Sequence, residues 1–220
     1  KSFLNYDIFV SGSDQVFQPS VCDPVFFLDF VPDSNIKASY AASLGSLNIP
    51  KEKEQLFLRL INNFDFLSLR ESDAMIAVQH FYKGPISINA DPTFLVSKSD
   101  WTKRIKPYKT KKKYYLVYAI YWDKSLNQAL KRLKKQSGFD IIVISDGMTN
   151  IFHDKVVCDA GVEEFLWLIN NSEGVITSSF HGACFSLIFN KPFSAVINPN
   201  SPSRLRCLLN TFDYPVIFRY

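Results

Sequence analysis

Two short polar segments, far apart in the chain, carry residue types and spacings that suit group-transfer chemistry. The first is Ser-Gly-Ser-Asp-Gln at residues 11–15, directly after a short apolar run. Its hydroxyl, carboxylate and amide groups can bind a polar substrate, Gly12 is expected to permit a close approach, and Asp14 could accept a proton from a hydroxyl. Serine and aspartate are also preferred at helix caps, which is the structural alternative for this segment.

The second segment is Ser-Ser-Phe-His-Gly at residues 178–182, between a predicted strand and a predicted helix. The N–H groups and partial positive charge at a helix start favour a bound phosphate or carboxylate. His181 could add a hydrogen bond there and exchange a proton near neutral pH. A packed or merely exposed histidine is the alternative, and we interpret His80 and His153 as structural because they lack such neighbours.

A third polar segment, Ser-Leu-Arg-Glu-Ser at residues 68–72, also follows a predicted strand. Arg70 could hold a carboxylate or phosphate through two parallel hydrogen bonds. A surface ion pair between Arg70 and Glu71 is the alternative interpretation. Further along, Asp91 is followed by proline and is predicted to fix a turn after another strand.

Composition and missing motifs exclude several classes of protein. The chain has 220 residues, 47% of them hydrophobic and 21% charged, and a formal net charge of +4. These values are ordinary for a globular protein, and the excess of positive charge is too small and dispersed for a typical nucleic-acid binder. The basic run at residues 103–113 is interpreted as a solvated linker, with attraction of an anionic substrate as the alternative. Neither a dinucleotide-binding nor a P-loop glycine motif is present in the sequence.

The cysteines indicate a reducing compartment and no zinc site. No two of the four form a Cys-x-x-Cys pair, so we expect no metal. Cys158 and Cys184 lie in apolar runs and are predicted to be buried, reduced thiols. A cytoplasmic location follows from this interpretation.

Short apolar runs alternate with amphipathic helical patterns along the whole chain. This alternation predicts an α/β fold of parallel sheets with crossover helices. We predict an N-terminal Rossmann-like domain at residues 1–102, the basic linker at 103–113 and a C-terminal Rossmann-like domain at 114–220. Ligands of such folds bind beyond the carboxyl ends of the strands, so we expect the polar segments to face a cleft between the domains.

Five blocks of sequence, in this order and with this spacing, resemble the polysaccharide pyruvyl transferase family. The blocks are residues 6–17, 37–45, 64–71, 91–101 and 164–193. The resemblance implies a fold similar to the B-type glycosyltransferases, with two Rossmann-like domains and with the N-terminal part of the first domain truncated in this chain. Phe17 stands where the family commonly has tryptophan, which keeps an aromatic surface and bears on the acceptor site.

The resemblance implies transfer of a pyruvyl group from phosphoenolpyruvate to two hydroxyls of one sugar, giving a cyclic ketal and phosphate. The expected acceptor is a glycan or a lipid-linked oligosaccharide of exopolysaccharide or capsule biosynthesis, which is compatible with peripheral membrane association. No nucleic-acid partner, cofactor or metal is expected. His181 and Asp14 are the expected catalytic residues, and their acid and base roles could be exchanged. The expected substrate-binding residues are Ser13, Gln15, Arg70, Ser179 and Gly182.

Two other functions are compatible with the same features. A nucleotide-sugar-dependent glycosyltransferase would share the fold, because a fold does not determine the donor. A non-catalytic glycan-binding domain could also have kept the architecture. The presence of Asp14, Arg70 and His181 together argues mildly against the non-catalytic alternative.

Overall fold

The computed structural model describes residues 5–110, 112–199 and 202–214, which fall into two compact units, Lys1–Pro92 and Thr93–Tyr220. Lys111 of the basic run lies outside the described residues. The domain boundaries inferred from the sequence at residues 102 and 113 stay a prediction.

The described residues of the N-terminal unit form four short parallel strands and two helices. The strands are β1 (Ile8–Ser11), β2 (Ile36–Ser39), β3 (Leu67–Leu69) and β4 (Ile86–Ile88), and the helices are α1 (Lys51–Ile61) and α2 (Ser72–Val78). β1 pairs with β2 and β3 with β4, and parallel bridges from Ala38 to Phe66 and from Ala42 to Leu69 join the two pairs. The carboxyl ends of all four strands therefore meet at one edge.

Aromatic side chains fill the core of the N-terminal unit. Phe17 is fully buried, stacks on Phe27 with ring centroids 4.7 Å apart, and meets Phe64 edge-to-face at 5.2 Å. Phe17 thus belongs to the core, and the expectation that it keeps an aromatic surface for the acceptor is wrong. α1 begins directly after Pro50, as predicted, and adds Phe57 to this core.

The C-terminal unit is built on a five-stranded, fully parallel sheet with strand order β7-β6-β5-β8-β9. The strands are β5 (Tyr114–Tyr118), β6 (Asp140–Ile144), β7 (Lys155–Val157), β8 (Gly174–Thr177) and β9 (Phe193–Ala195). The helices are α3 (Lys98–Thr102), α4 (Lys124–Ser137), α5 (Val162–Asn170), α6 (Phe180–Ile188) and α7 (Ser203–Thr211). The chain leaves β5 toward one edge of the sheet and returns to β8 on the other side. The strand order thus reverses between β5 and β8.

Helices cover both faces of this sheet, as a parallel sheet requires. One apolar cluster packs α5, α6 and α7 against residues such as Leu116 and Val175, and a second packs α4 against Val117 and Val143. α4 follows the predicted apolar stripe at Leu126 and Leu130, starts at an Asp123 side-chain cap and ends at Gly138, whose φ is +72°. The predicted α/β fold with Rossmann-like parallel sheets is confirmed.

Two further features concern the cysteines and the lengths of the helices. Cys184 is buried as predicted, but Cys158 is exposed because it directly follows the edge strand β7, so its predicted burial is wrong. Within the described residues, no helix is both long and apolar enough to cross a bilayer.

Tyr114 connects the first strand of the C-terminal unit to α5. Its ring is buried and its hydroxyl donates a 2.8 Å hydrogen bond to the carbonyl of Leu168, in the last turn of α5, where carbonyls have no partner within the helix. Burial raises the pKa of the Tyr114 hydroxyl above its ordinary value, so this group stays a hydrogen-bond donor at neutral pH.

We predict that Tyr114→Phe destabilises the C-terminal unit by about 1–3 kcal/mol, because a buried carbonyl loses its donor. Calorimetry should show a lower melting temperature, by roughly 2–8 °C for each kcal/mol. Tyr108→Phe is the matched control, since the Tyr108 hydroxyl makes only a 3.4 Å contact with Asp159 in an exposed position. Equal effects of the two substitutions would contradict the role given to Tyr114.

Candidate active site

The 11–15 segment lies at the edge where the strands of the N-terminal unit end. The Ser13 hydroxyl lies 2.8 Å from the carbonyl oxygen of Ala41, just beyond β2, and 3.2 Å from Oδ2 of Asp91, beyond β4. The amide of Ser43 donates a 2.8 Å hydrogen bond to the Asp14 carbonyl. The segment is thus held by the loops that follow two other strands, and it does not cap a described helix.

Asp14 is one of the exposed residues of this segment. Its side chain is 58% exposed, and its backbone adopts the left-handed conformation with φ +79°. Aspartate tolerates this conformation better than most residues, but holding it has a cost that the surrounding structure must offset. Gln15 is also exposed and lies against Gly45, whose φ is +68°. Asp14 and Gln15 can therefore reach a ligand.

Arg70 lies at the centre of a buried charged cluster. Its Nε donates to Glu71 Oε1 at 3.0 Å and its Nη1 donates to Asp91 Oδ2 at 2.8 Å. The side chains of Arg70, Glu71 and Asp91 are 3%, 3% and 1% exposed. The interpretation of Arg70 and Glu71 as a surface ion pair is therefore wrong.

The Arg70 cluster extends toward the 11–15 segment. Nη1 of Arg70 lies 3.4 Å from the Ser13 hydroxyl, and Nη2 lies 3.9 Å from Oδ1 of Asp14. Asp91 was predicted only to fix a turn, and its role in this cluster was missed. The sequence did contain a signal for this contact. Arg70 and Asp91 each follow a predicted parallel strand, and the carboxyl ends of parallel strands lie at the same edge of a sheet.

In the C-terminal unit, the 178–182 segment joins β8 to α6 at the point where the strand order reverses. The Thr177 hydroxyl, fully buried, donates to the Tyr118 carbonyl at 2.6 Å and accepts the Ser179 amide at 3.0 Å. The Ser178 hydroxyl accepts the amide of Tyr121 at 2.8 Å. These contacts join the loop after β5 to the loop after β8. Sequence analysis did not single out Thr177 or Tyr121.

Ser179 is the N-cap of α6. Its side chain accepts the Gly182 amide at 3.3 Å, and both residues are buried. Two of the residues predicted to bind substrate, Ser179 and Gly182, thus already contact each other. His181 differs, because it is only half-buried and its ring meets Phe180 edge-to-face at 5.5 Å. Of the predicted residues in this segment, His181 is the one whose side chain can reach a ligand.

The two ends of α6 carry opposite partial charges, and the positive partial charge at its start favours an anion there. At its C-terminal end, the Lys98 ammonium donates to the Phe189 carbonyl at 3.0 Å, where the partial charge of the helix is negative. Burial lowers the pKa of the neighbouring Lys191, which donates to the Ser172 carbonyl. The start of α6, at Ser179 to Gly182, carries the opposite partial charge.

The structure offers no metal centre among its described residues. In residues 5–110, 112–199 and 202–214, no group of three or more histidine, cysteine, aspartate or glutamate side chains could hold a metal ion. In the N-terminal unit, the carboxylates of Glu71 and Asp91 contact the guanidinium of Arg70.

The solved structures with a similar fold include two that are described as UDP-N-acetylglucosamine 2-epimerases. A putative UDP-N-acetylglucosamine 2-epimerase from Listeria monocytogenes superposes with a TM-score of 0.56 at 12% identity, over 96% of this chain and 66% of that protein. MnaA of S. aureus, in a structure with UDP, gives 0.54 at 16% identity over 90% of this chain and 60% of that protein. UDP-GlcNAc 2-epimerase from Neisseria meningitidis superposes with a TM-score of 0.54 at 13% identity, over 95% of this chain and 68% of that protein.

These likenesses confirm the fold class, an α/β fold similar to the B-type glycosyltransferases. The chain spans less than two thirds of the length of the first two of these proteins. The family model for polysaccharide pyruvyl transferase matches residues 1–201, and the chain therefore belongs to the polysaccharide pyruvyl transferase family. No curated protein sequence matches the chain closely enough to count as a relative.

The start of α6 requires glycine at position 182. A Cβ atom there would overlap the Thr177 hydroxyl and lie 3.3 Å from the Tyr118 ring. Thr177 cannot easily rotate away because its hydroxyl makes two hydrogen bonds. Gly12 is different, since no heavy atom of the described residues, apart from its chain neighbours, lies within 4 Å of the place that its Cβ would take.

We predict that Gly182→Ala destabilises the C-terminal unit by about 1–3 kcal/mol through overpacking, partly offset by about 0.5–1 kcal/mol of better helix propensity. Gly12→Ala should change stability by less than about 0.5 kcal/mol. Chemical denaturation of both variants and of the unsubstituted protein measures the difference. An unchanged midpoint for Gly182→Ala would show that the helix start shifts at no cost.

Proposed function

We propose that this protein transfers a pyruvyl group from phosphoenolpyruvate to two hydroxyls of one sugar residue. A proton adds to the methylene carbon of the donor, and the adjacent carbon takes on oxocarbenium character. One hydroxyl oxygen attacks that carbon and loses its proton to a base. The second hydroxyl oxygen displaces the phosphate, which leaves with the remaining proton, and a cyclic ketal results. The reaction needs no metal and no redox partner.

Membership of the polysaccharide pyruvyl transferase family is the observation that carries this proposal. The geometry of the C-terminal unit supports it. The donor has a carboxylate and a phosphate, and the start of α6 offers a partial positive charge, with a half-buried histidine beside it. We assign His181 to contact with the donor phosphate or to proton delivery, since imidazole can do either near neutral pH.

We assign Asp14 to proton acceptance from the attacking hydroxyl. Its carboxylate is exposed and follows the carboxyl end of a parallel strand, and its sequence neighbours Ser13 and Gln15 carry hydroxyl and amide groups that can bind a sugar. The acceptor in this proposal is a glycan or a lipid-linked oligosaccharide, and the latter would bring the protein to a membrane surface. Because phosphoenolpyruvate is a cytoplasmic metabolite, we place the reaction in the cytoplasm.

We predict that His181→Ala lowers kcat by about 10²–10⁴ while circular dichroism stays unchanged, which is the usual effect of losing a general acid or base. Phosphate released from phosphoenolpyruvate in the presence of a glycan acceptor is the measurement. His153→Ala is the matched control, because His153 is an exposed histidine that precedes β7 and so lies at the opposite edge of the same sheet. Activity of His181→Ala within a few-fold of the unsubstituted protein would remove His181 from the mechanism.

A second prediction separates this function from the alternative, transfer of a sugar from a nucleotide-sugar donor. The similarity to the UDP-bound structure of MnaA is the observation that favours this alternative. Phosphoenolpyruvate at 100 times its Kd should stabilise the folded protein by about 2.7 kcal/mol and raise the melting temperature by about 5–10 °C. Inorganic phosphate should give a smaller shift. UDP-N-acetylglucosamine should give none, and a shift with it alone would favour the rival function.

A further inference from the structure

We infer that Tyr118 is a further substrate-binding residue, whose hydroxyl donates a hydrogen bond to the same anionic group that the start of α6 attracts. In phosphoenolpyruvate this group is the phosphate, so the inference rests on the proposed function and adds a donor to its site. Tyr118 is the last residue of β5. The sequence did not single it out, because it belongs to a predicted strand and not to a polar segment.

Tyr118 lies where this kind of fold binds its ligands. β5 and β8 are neighbouring parallel strands, and the strand order reverses between them. Ligands of open parallel sheets bind in the crevice beyond the carboxyl ends of the two strands that flank such a reversal. Tyr118 pairs with Thr177, the last residue of β8. Its main chain therefore lies at the base of this crevice.

The Tyr118 ring packs against the first turn of α6. Side chains alternate along a strand, so Tyr118 shares a face of the sheet with Tyr114 and Leu116, the face that α5 and α6 cover. A Cβ atom at Gly182 would lie only 3.3 Å from Cδ1 of the Tyr118 ring. Glycine at this position thus leaves room for the ring beside the end of α6 that carries the positive partial charge.

The main chain and the ring of Tyr118 are held in place by neighbouring elements. The Tyr118 carbonyl accepts hydrogen bonds from the Thr177 hydroxyl at 2.6 Å and from the Ser178 amide at 3.3 Å. The ring meets Phe165, near the start of α5, edge-to-face with centroids 5.2 Å apart. A donor group that is fixed before the ligand arrives loses little conformational entropy on binding.

The hydroxyl is the part of Tyr118 that can still bind a ligand. Tyr118 is half-buried, and within the described part of the chain its hydroxyl makes no hydrogen bond and is not enclosed. Tyr114 is the opposite case on the same face of the strand, because its hydroxyl donates to the Leu168 carbonyl at 2.8 Å. A phenol can donate to a phosphate oxygen, and hydrogen bonds to charged groups are the stronger ones.

Charge distinguishes the two helix starts that flank Tyr118. The first turn of α5 contains Glu163 and Glu164, whereas the first turn of α6 contains no acidic residue. Carboxylates in a first turn interact with the positive partial charge of their own helix and repel a second anion. An anion beside Tyr118 is therefore expected at the start of α6.

The test compares Tyr118→Phe with Tyr115→Phe in the whole chain. Tyr115 belongs to the same strand but lies on its other face, against Phe139, and its hydroxyl also makes no hydrogen bond within the described residues. Both substitutions remove one hydroxyl and keep the ring. We expect both variants to melt within about 2 °C of the unsubstituted protein, because neither loses an internal hydrogen bond.

Calorimetric titrations with inorganic phosphate and with phosphoenolpyruvate, at constant ionic strength, measure binding. Tyr118→Phe should raise the Kd of both anions at least about tenfold, because each loses a hydrogen bond to a charged group. Tyr115→Phe should change either Kd by less than about twofold. Unchanged Kd values in Tyr118→Phe would overturn the inference, and so would an equal loss of affinity in Tyr115→Phe.

Inorganic phosphate separates the inference from the proposed function. If the unsubstituted protein binds phosphate but not phosphoenolpyruvate, the proposed function fails, and the phosphate Kd values still decide the role of Tyr118. If it binds neither anion, the inference is overturned as well. Weaker binding of phosphoenolpyruvate with unchanged binding of phosphate in Tyr118→Phe would also overturn it, since the hydroxyl would then contact the carboxylate.

Discussion

Parallel strand pairing is the constraint on which every chemical feature of this protein depends. It brings the residues that follow β1, β2, β3 and β4 to one edge of the N-terminal unit, and those that follow β5 and β8 to one edge of the C-terminal unit. Segments up to 78 residues apart, such as those of Ser13 and Asp91, meet for this reason alone. The polar segments of the sequence are functional candidates because of where their strands end.

The N-terminal unit buries charge at this edge. Taking Arg70, Glu71 and Asp91 out of water is costly, and the hydrogen bonds that the guanidinium donates to the two carboxylates offset part of this cost. Apolar residues would often stabilise a fold better than such a cluster does. Its presence at the strand ends, next to an exposed Asp14 with an unfavourable backbone conformation, fits selection for a function rather than for stability.

In the C-terminal unit, the residues that follow the strands are tightly packed. α6 starts so close to β5 and β8 that only glycine fits at position 182, and the Thr177 hydroxyl and the Ser179 cap satisfy the backbone around it. The hydroxyls that would suit a phosphate are used to build the helix start. Of the residues predicted to bind substrate at this helix start, the half-buried His181 is the one whose side chain can reach a ligand, beside the positive end of the helix.

Local sequence patterns determined the elements of this fold: the parallel strands, the α4 stripe at Leu126 and Leu130, the start of α1 after Pro50, and the family. They also located Asp14 and His181 at strand ends, because an apolar run followed by polar residues is a local feature. The burial of Phe17 and Arg70, the exposure of Cys158 and the role of Asp91 were decided by tertiary structure alone. The environment of a side chain depends on segments distant in sequence, and periodicity along one segment carries no information about them.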